Sequence, residues 1–426
     1  MASGVATTVV NTVVMVVGYP IYLHFLGYEK YGVWLVLATV LTFVQLGNLG
    51  IGPAVMKLVA EEYGRGDIEA VQRYITAALA LLCISGTVAL IVILTFKSQI
   101  ITPFKLSDEN AKTVLWLLPY IGVLSIYVFV VQVFEVALSG LARMDLTNYI
   151  QSAGRIATVI VTAVLLYSGR GIESMLIASI ASYLLIHIAS IICIWRIAPI
   201  RFWQINRLDT QHCKRLLQIG GGVFGSSLLG MLVSPFNKLM LSRYAGVDTI
   251  PIYELAFQGA CMFRSFFDSV IRAIMPEISR LYGEYTEHTR ERIKSLKQRS
   301  MKIIWLFGLP LYGALMLVAE PLLKVCLRQE YLEPIPNALR VMLIATFISL
   351  LAVPAHYTIM GLGRVRYFVI AGIIGAGANF VLVTAYCITT GHISVFIMGL
   401  FLIVTFVMST TYLISRANHS LAWNSL

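Results

Sequence analysis

Apolar runs long enough to cross a lipid bilayer recur from one end of this 426-residue chain to the other. A hydrocarbon core is roughly 30 Å thick, and a helix rising about 1.5 Å per residue spans it in about 20 residues. Twelve spans are expected, at residues 3–26, 31–63, 70–96, 112–142, 146–167, 172–195, 216–245, 253–282, 296–319, 336–361, 367–390 and 395–415. Only 12% of residues are charged and 58% are hydrophobic, against roughly a quarter charged in a soluble domain. The expected fold class is therefore an all-α polytopic membrane protein. A net charge of +11 would suggest nucleic acid in a soluble protein. Here basic loops set membrane orientation instead, and no nucleic-acid partner is expected. The six cysteines are scattered without a CxxC pair and read as small packing residues. The start, MASGVATTVV, lacks a basic leader, so no cleavable signal peptide is expected.

The spans fall into two sets of six. A polar connector, 196–215, divides an N-terminal half (1–195) from a C-terminal half (216–426). The halves echo each other. Gly27 followed by Tyr31 matches Gly246 followed by Tyr253; Pro53 matches Pro276; Gly140-Leu141-Ala142-Arg143 matches Gly361-Leu362-Gly363-Arg364. Repeats of six spans share one orientation, so two parallel six-helix repeats around a central cavity are expected, an architecture of secondary transporters. Lys and Arg concentrate at Arg65, Arg73, Arg143, the connector, the 283–300 segment, Arg364, Arg366 and Arg416. That asymmetry places both termini and the connector in the cytoplasm. The mixed-charge 283–300 segment reads as a solvated amphipathic extension.

The eighth span carries Arg264, Asp268 and Arg272 at four-residue intervals, so the three charges share one stripe. An ionised side chain facing lipid at this depth costs about 2.5–3.5 kcal/mol. The stripe must face protein or a water-filled cavity. Arg264 and Asp268 are spaced for an ion pair that would leave Arg272 as net positive charge. Pro276 would kink the span at Arg272, as Pro53 would kink the second span at Leu49, giving two candidate gating positions. Lys238 after Pro235 is a second cavity candidate, and Arg155 is either a cavity residue or a snorkelling one. Glu135 reads equally as a proton-coupling carboxylate or as the partner of a nearby basic residue. Phe263, Phe266, Phe267 and Tyr120 could offer stacking faces to a ligand, although packing is the commoner job. No loop is long enough for a soluble catalytic domain, and no phosphate-loop, HExxH or GxSxG motif occurs. The chain is not expected to be an enzyme or to carry a cofactor or metal.

The run FLGYEKYGVWLVLATVLTFVQLGNLGIGPAVMKLVAEEYGRGD, residues 25–67, and the run NKLMLSRYAGVDTIPIYELAFQ, residues 237–258, resemble the polysaccharide transporter family. This family belongs to the multidrug/oligosaccharidyl-lipid/polysaccharide exporter superfamily and includes the O-antigen flippases. The resemblance implies an inner-membrane flippase for undecaprenyl-pyrophosphate-linked oligosaccharide, working by ion-coupled alternating access. Membrane lipids, and the polymerase and chain-length proteins of the same pathway, are the partners it implies. Basic residues lining a cavity would suit an anionic pyrophosphate headgroup. A drug/cation antiporter of the same superfamily is one alternative, and would want an acidic cavity. A membrane-embedded polymerase or ligase is another, and would want a large periplasmic loop.

Overall fold

In the computed structural model the described residues are 2–48, 50–198, 210–272, 274–283 and 287–421. Every regular element among them is helical. The chain forms two compact units, Met1–Leu228 and Leu229–Leu426. The first holds α1 (Ala2–Gln45), α2 (Ile51–Gly64), α3 (Ile68–Thr95), the short α4 (Lys97–Ile101), α5 (Asp108–Gly140), α6 (Met144–Tyr167), α7 (Glu173–Ile197) and the start of α8 (Thr210–Tyr244). The second holds the rest of α8, then α9 (Thr249–Ile271), α10 (Ile274–Gly283), α11 (Glu287–Ile303), α12 (Leu309–Leu327), α13 (Pro334–Leu351), α14 (Val353–Gly361), α15 (Val365–Thr390) and α16 (Val395–Ser420). Residues 199–209 of the expected connector lie outside the described residues.

Each of the twelve expected spans falls on helix among the described residues, and nine segments among those residues are apolar and long enough to cross a membrane. One of these, Thr7–Gln45, contains two helices joined at Gly27. Gly27 has φ 68°, and Gly246 at the matching turn before α9 has φ 102°. An L side chain is strained in that region of backbone space, so the matching turns share one backbone demand.

Within each unit the fourth span is central. In α5 and in the α13–α14 span, 56% and 67% of the apolar window is buried, against at most 33% in the other crossing segments. A helix buried over most of its surface must be approached closely by its neighbours, and here glycine allows it. A Cβ on Gly140, at the end of α5, would lie 2.9 Å from Met56 O and from Val59 Cβ on α2. A Cβ on Gly361, at the end of α14, would lie 2.7 Å from Ile278 Cγ2 on α10. The repeated glycine thus marks a repeated contact.

The second span is broken rather than kinked, which corrects the expectation for Pro53. Helix α1 ends at Gln45, a tight turn covers Leu46–Asn48, and α2 begins at Ile51. Pro53 therefore sits in the first turn of α2, where its missing N–H leaves nothing unpaired. Backbone groups freed at membrane depth need partners. Asn48 Oδ1 accepts from Gly52 N at 3.2 Å, and Ser85 Oγ on α3 donates to Gly47 O at 2.6 Å. Asn48 Nδ2 is held in turn by Gln132 Oε1 of α5 at 2.9 Å. The eighth span breaks at the matching place, α9 ending at Ile271 and α10 starting at Ile274. Pro276 again falls in the first turn of the new helix, and its side chain lies outside the described residues.

The 283–300 segment is less solvated than its charge suggests. On α11 the side chains of Thr289, Ile293, Lys297 and Ser300 are buried, while Arg292, Lys294 and Arg299 face outward. Lys297 Nζ donates to Asn418 Oδ1 on α16.

Gly140→Ala should destabilise the protein by about 1–3 kcal/mol, the usual cost of forcing an extra methyl into a packed contact. Gly64→Ala, which meets nothing within 4 Å, is the control. Thermal unfolding of detergent-solubilised protein reads the difference.

Candidate functional site

The charged stripe of α9 opens onto a cavity of about 510 Å³ inside the C-terminal unit. Apolar side chains of α15 and α16 form much of its wall, and besides several hydroxyl side chains Arg264 and Asp268 from α9 and His356 and Tyr357 from α14 converge on it. A mostly apolar pocket with a few convergent polar groups is the usual form of a ligand site.

The pairing in the stripe is the reverse of the expected one. Arg272 Nη2 donates to Asp268 Oδ2 at 3.0 Å. The Tyr357 hydroxyl donates to the same oxygen at 3.0 Å and accepts from Arg272 Nε at 3.1 Å. These three groups close a triangle between α14 and the end of α9, where Arg272 is the C-terminal cap. Arg264 is left over. Its Nε is buried without a hydrogen-bond partner, and no described carboxylate pairs with it. Asp268 is neutralised by Arg272, so the cavity's uncompensated charge is the Arg264 guanidinium. Arg264 is half-buried, and a partly desolvated cation without a partner favours an anion entering the cavity.

Lys238 does not line this cavity. Its Nζ lies 2.8 Å from Glu254 Oε2, and both side chains are 11% exposed. Glu254 is held further by Gln258 Nε2, at 3.1 Å from Oε1. Sequence reasoning missed Glu254, although a signal was present. Lys238 and Glu254 each lie about two helical turns from the α8–α9 turn, so an antiparallel hairpin sets them level. Tyr357 was missed as well, since a tyrosine in an apolar span carries no signal until its partner is known. The expected stacking aromatics are displaced too: Phe257, Phe368 and Phe406 line the cavity, whereas Phe267 is buried in the core.

In the N-terminal unit the structure brings Glu135 and Arg155 together. Glu135 on α5 has its Oε1 buried without a hydrogen bond, and Arg155 and Gln151 on α6 are its electrostatic neighbours. Tyr183 on α7 borders the same pair, while Arg155 itself is exposed. A second cavity of about 450 Å³ in this unit is lined by Lys30 and Lys112 but also by Glu109 and Glu173. Its charges balance, and it has no preference for one sign.

Helical spans, paired broken helices and a charged intramembrane cavity define the class as a polytopic transporter-like membrane protein. Solved structures with this fold include the inward-facing conformation of a multidrug resistance MATE family transporter of the MOP superfamily. It is 14% identical, with a TM-score of 0.79, and the match covers 99% of this chain and 96% of that one. The lipid II flippase MurJ in an inward closed conformation matches with a TM-score of 0.78 at 14% identity, over 97% and 87% of the two chains. A putative O-antigen transporter of Shigella flexneri is 20% identical over 344 residues, 80% of this chain and 78% of that protein. The polysaccharide biosynthesis protein family model matches residues 2–282. The chain belongs to that family.

Replacing Lys238 alone by Met should destabilise the protein by about 3–5 kcal/mol, because Glu254 is left as an unpaired buried charge. The double variant Lys238→Met/Glu254→Leu should recover most of that loss. Equal destabilisation of both variants in thermal unfolding would refute a purely structural role for the pair.

Proposed function

We propose that the protein is a flippase that moves undecaprenyl-pyrophosphate-linked oligosaccharide, an O-antigen unit or a similar glycan, from the cytoplasmic to the periplasmic leaflet of a bacterial inner membrane. The observation that carries this reading is the unpaired Arg264 guanidinium in the membrane-depth cavity. A pyrophosphate headgroup is anionic, and guanidinium forms charge-assisted, bidentate hydrogen bonds to phosphate. Family membership and the O-antigen transporter relative support the substrate class. Alternating access, coupling to an ion and cytoplasmic termini belong to the same proposal, with Glu135 as the coupling carboxylate candidate and the breaks at Pro53 and Pro276 as the gating positions.

The antiporter alternative fares worse on charge. A cationic drug would want an acidic cavity, but Asp268 is already claimed by Arg272 and Tyr357, and the charge left over is positive. The polymerase or ligase alternative needs a large extramembrane catalytic loop. The described connections between helices are short, and the relatives above are transporters and flippases by name.

Surface polysaccharide should disappear in Arg264→Ala cells that keep normal amounts of the protein in the membrane, with lipid-linked units accumulating in the inner leaflet. Arg272→Ala should fail as well, because it uncovers Asp268 and cancels the charge of Arg264. Adding Asp268→Asn to Arg272→Ala should restore part of the export. Normal surface polysaccharide in the Arg264→Ala strain would sink the cavity-charge reading.

A further inference from the structure

Where α15 begins and α16 ends, three arginines gather around one aromatic ring. Arg366 Cζ stands 4.9 Å, and Arg416 Cζ 5.7 Å, from the Tyr367 ring centroid. Arg416 Cζ is also 5.3 Å from the Tyr412 ring. Arg366 Nη2 donates to the Tyr367 hydroxyl at 3.0 Å, and Arg364 acts on the same tyrosine electrostatically. The two rings are fixed from beneath, packed against the buried cluster of Ala352, Ala355, Ile359, Ala371, Leu413 and Ala417. Guanidinium groups held beside a packed aromatic base are restrained in position, and each carries more donors than the one bond that Arg366 gives to Tyr367 uses.

Several of the other basic positions on this side are balanced by carboxylates. Arg65 pairs with Glu61, Arg73 with Glu69, Arg143 with Asp145, and Arg280 with Glu277. Arg366 and Arg416 are exposed, and neither forms an ion pair with a described residue. A basic bias that served orientation alone would not need guanidinium groups converging on one ring without a carboxylate. The position matters as well. Phe368, next to Tyr367, and Leu413, next to Tyr412, are the cavity-lining residues of α15 and α16 nearest this end. The cluster therefore adjoins the cavity that holds Arg264, at the end where the loop charges place the cytoplasm.

We propose that Arg366, Arg416 and Tyr367 form a docking site for a phosphate or diphosphate group, the first contact of an anionic lipid headgroup before it reaches Arg264. The proposal rests on the flippase reading for its role, but its test reads binding alone. The full chain in neutral detergent is titrated calorimetrically with farnesyl diphosphate and, separately, with inorganic pyrophosphate. Arg366→Gln/Arg416→Gln should weaken farnesyl diphosphate binding by about tenfold or more, as expected for losing charge-assisted hydrogen bonds. Arg366→Lys/Arg416→Lys, which keeps the charge without the planar fork, should fall between. A parallel loss with pyrophosphate assigns the site to phosphate itself, and a response to farnesyl diphosphate alone assigns it to lipid-borne phosphate. Thermal unfolding checks that each variant is folded. No binding by the unsubstituted protein, or binding by a folded double Gln variant within twofold of it, overturns the site. Normal export in Arg264→Ala cells would overturn the cavity-charge reading and leave this measurement untouched.

Discussion

A charge held at membrane depth has to find a partner or a cavity, and this single constraint sorts the polar residues of the chain. Water is not there to solvate a stray guanidinium or carboxylate, so each one is either tied down or exposed to space that a ligand or water can enter. Lys238 and Glu254 are tied to each other. Asp268 is tied twice, to Arg272 and to Tyr357. Arg264 is tied to nothing described, and its side chain lines the cavity beside the already paired Asp268. Function is read most directly where the pairing stops.

The same constraint governs the backbone. Each unit breaks its second span just before a proline, and a break exposes donors and acceptors that lipid cannot satisfy. In the N-terminal unit Asn48, Ser85 and Gln132 supply the missing partners. In the C-terminal unit the break carries Arg272, whose side chain is held by Tyr357 from the neighbouring α14. The first break is satisfied by neutral side chains. The other has charge at it, beside a cavity, and this asymmetry between matching elements marks the C-terminal unit as the specialised one.

Much of this was legible without coordinates. Length and apolarity of the runs set the helices, and the matched residues Gly27 and Gly246, Pro53 and Pro276, Gly140 and Gly361 take matching places in their helices and turns. Each of these has a local cause: a left-handed turn, a first helical turn or a close approach. What misled was treating proline as a kink within a continuous helix. A proline is tolerated better in a first turn, and the surrounding glycines of the second span let the chain restart there. Glu254 escaped notice because its partner lies on another helix, and Tyr357 because a hydroxyl means little until something binds it.

The sequence by itself determined that three charges lie on one stripe of one helix and that this stripe cannot face lipid. It could not determine which arginine is paired. Asp268 lies four residues from Arg264 and four from Arg272, so helix geometry is indifferent between them. The tie is broken by Tyr357, 89 residues further along the chain, whose hydroxyl reaches both Asp268 and Arg272. Only the packing of α14 beside α9 could decide that Arg264 would be the one left facing the cavity.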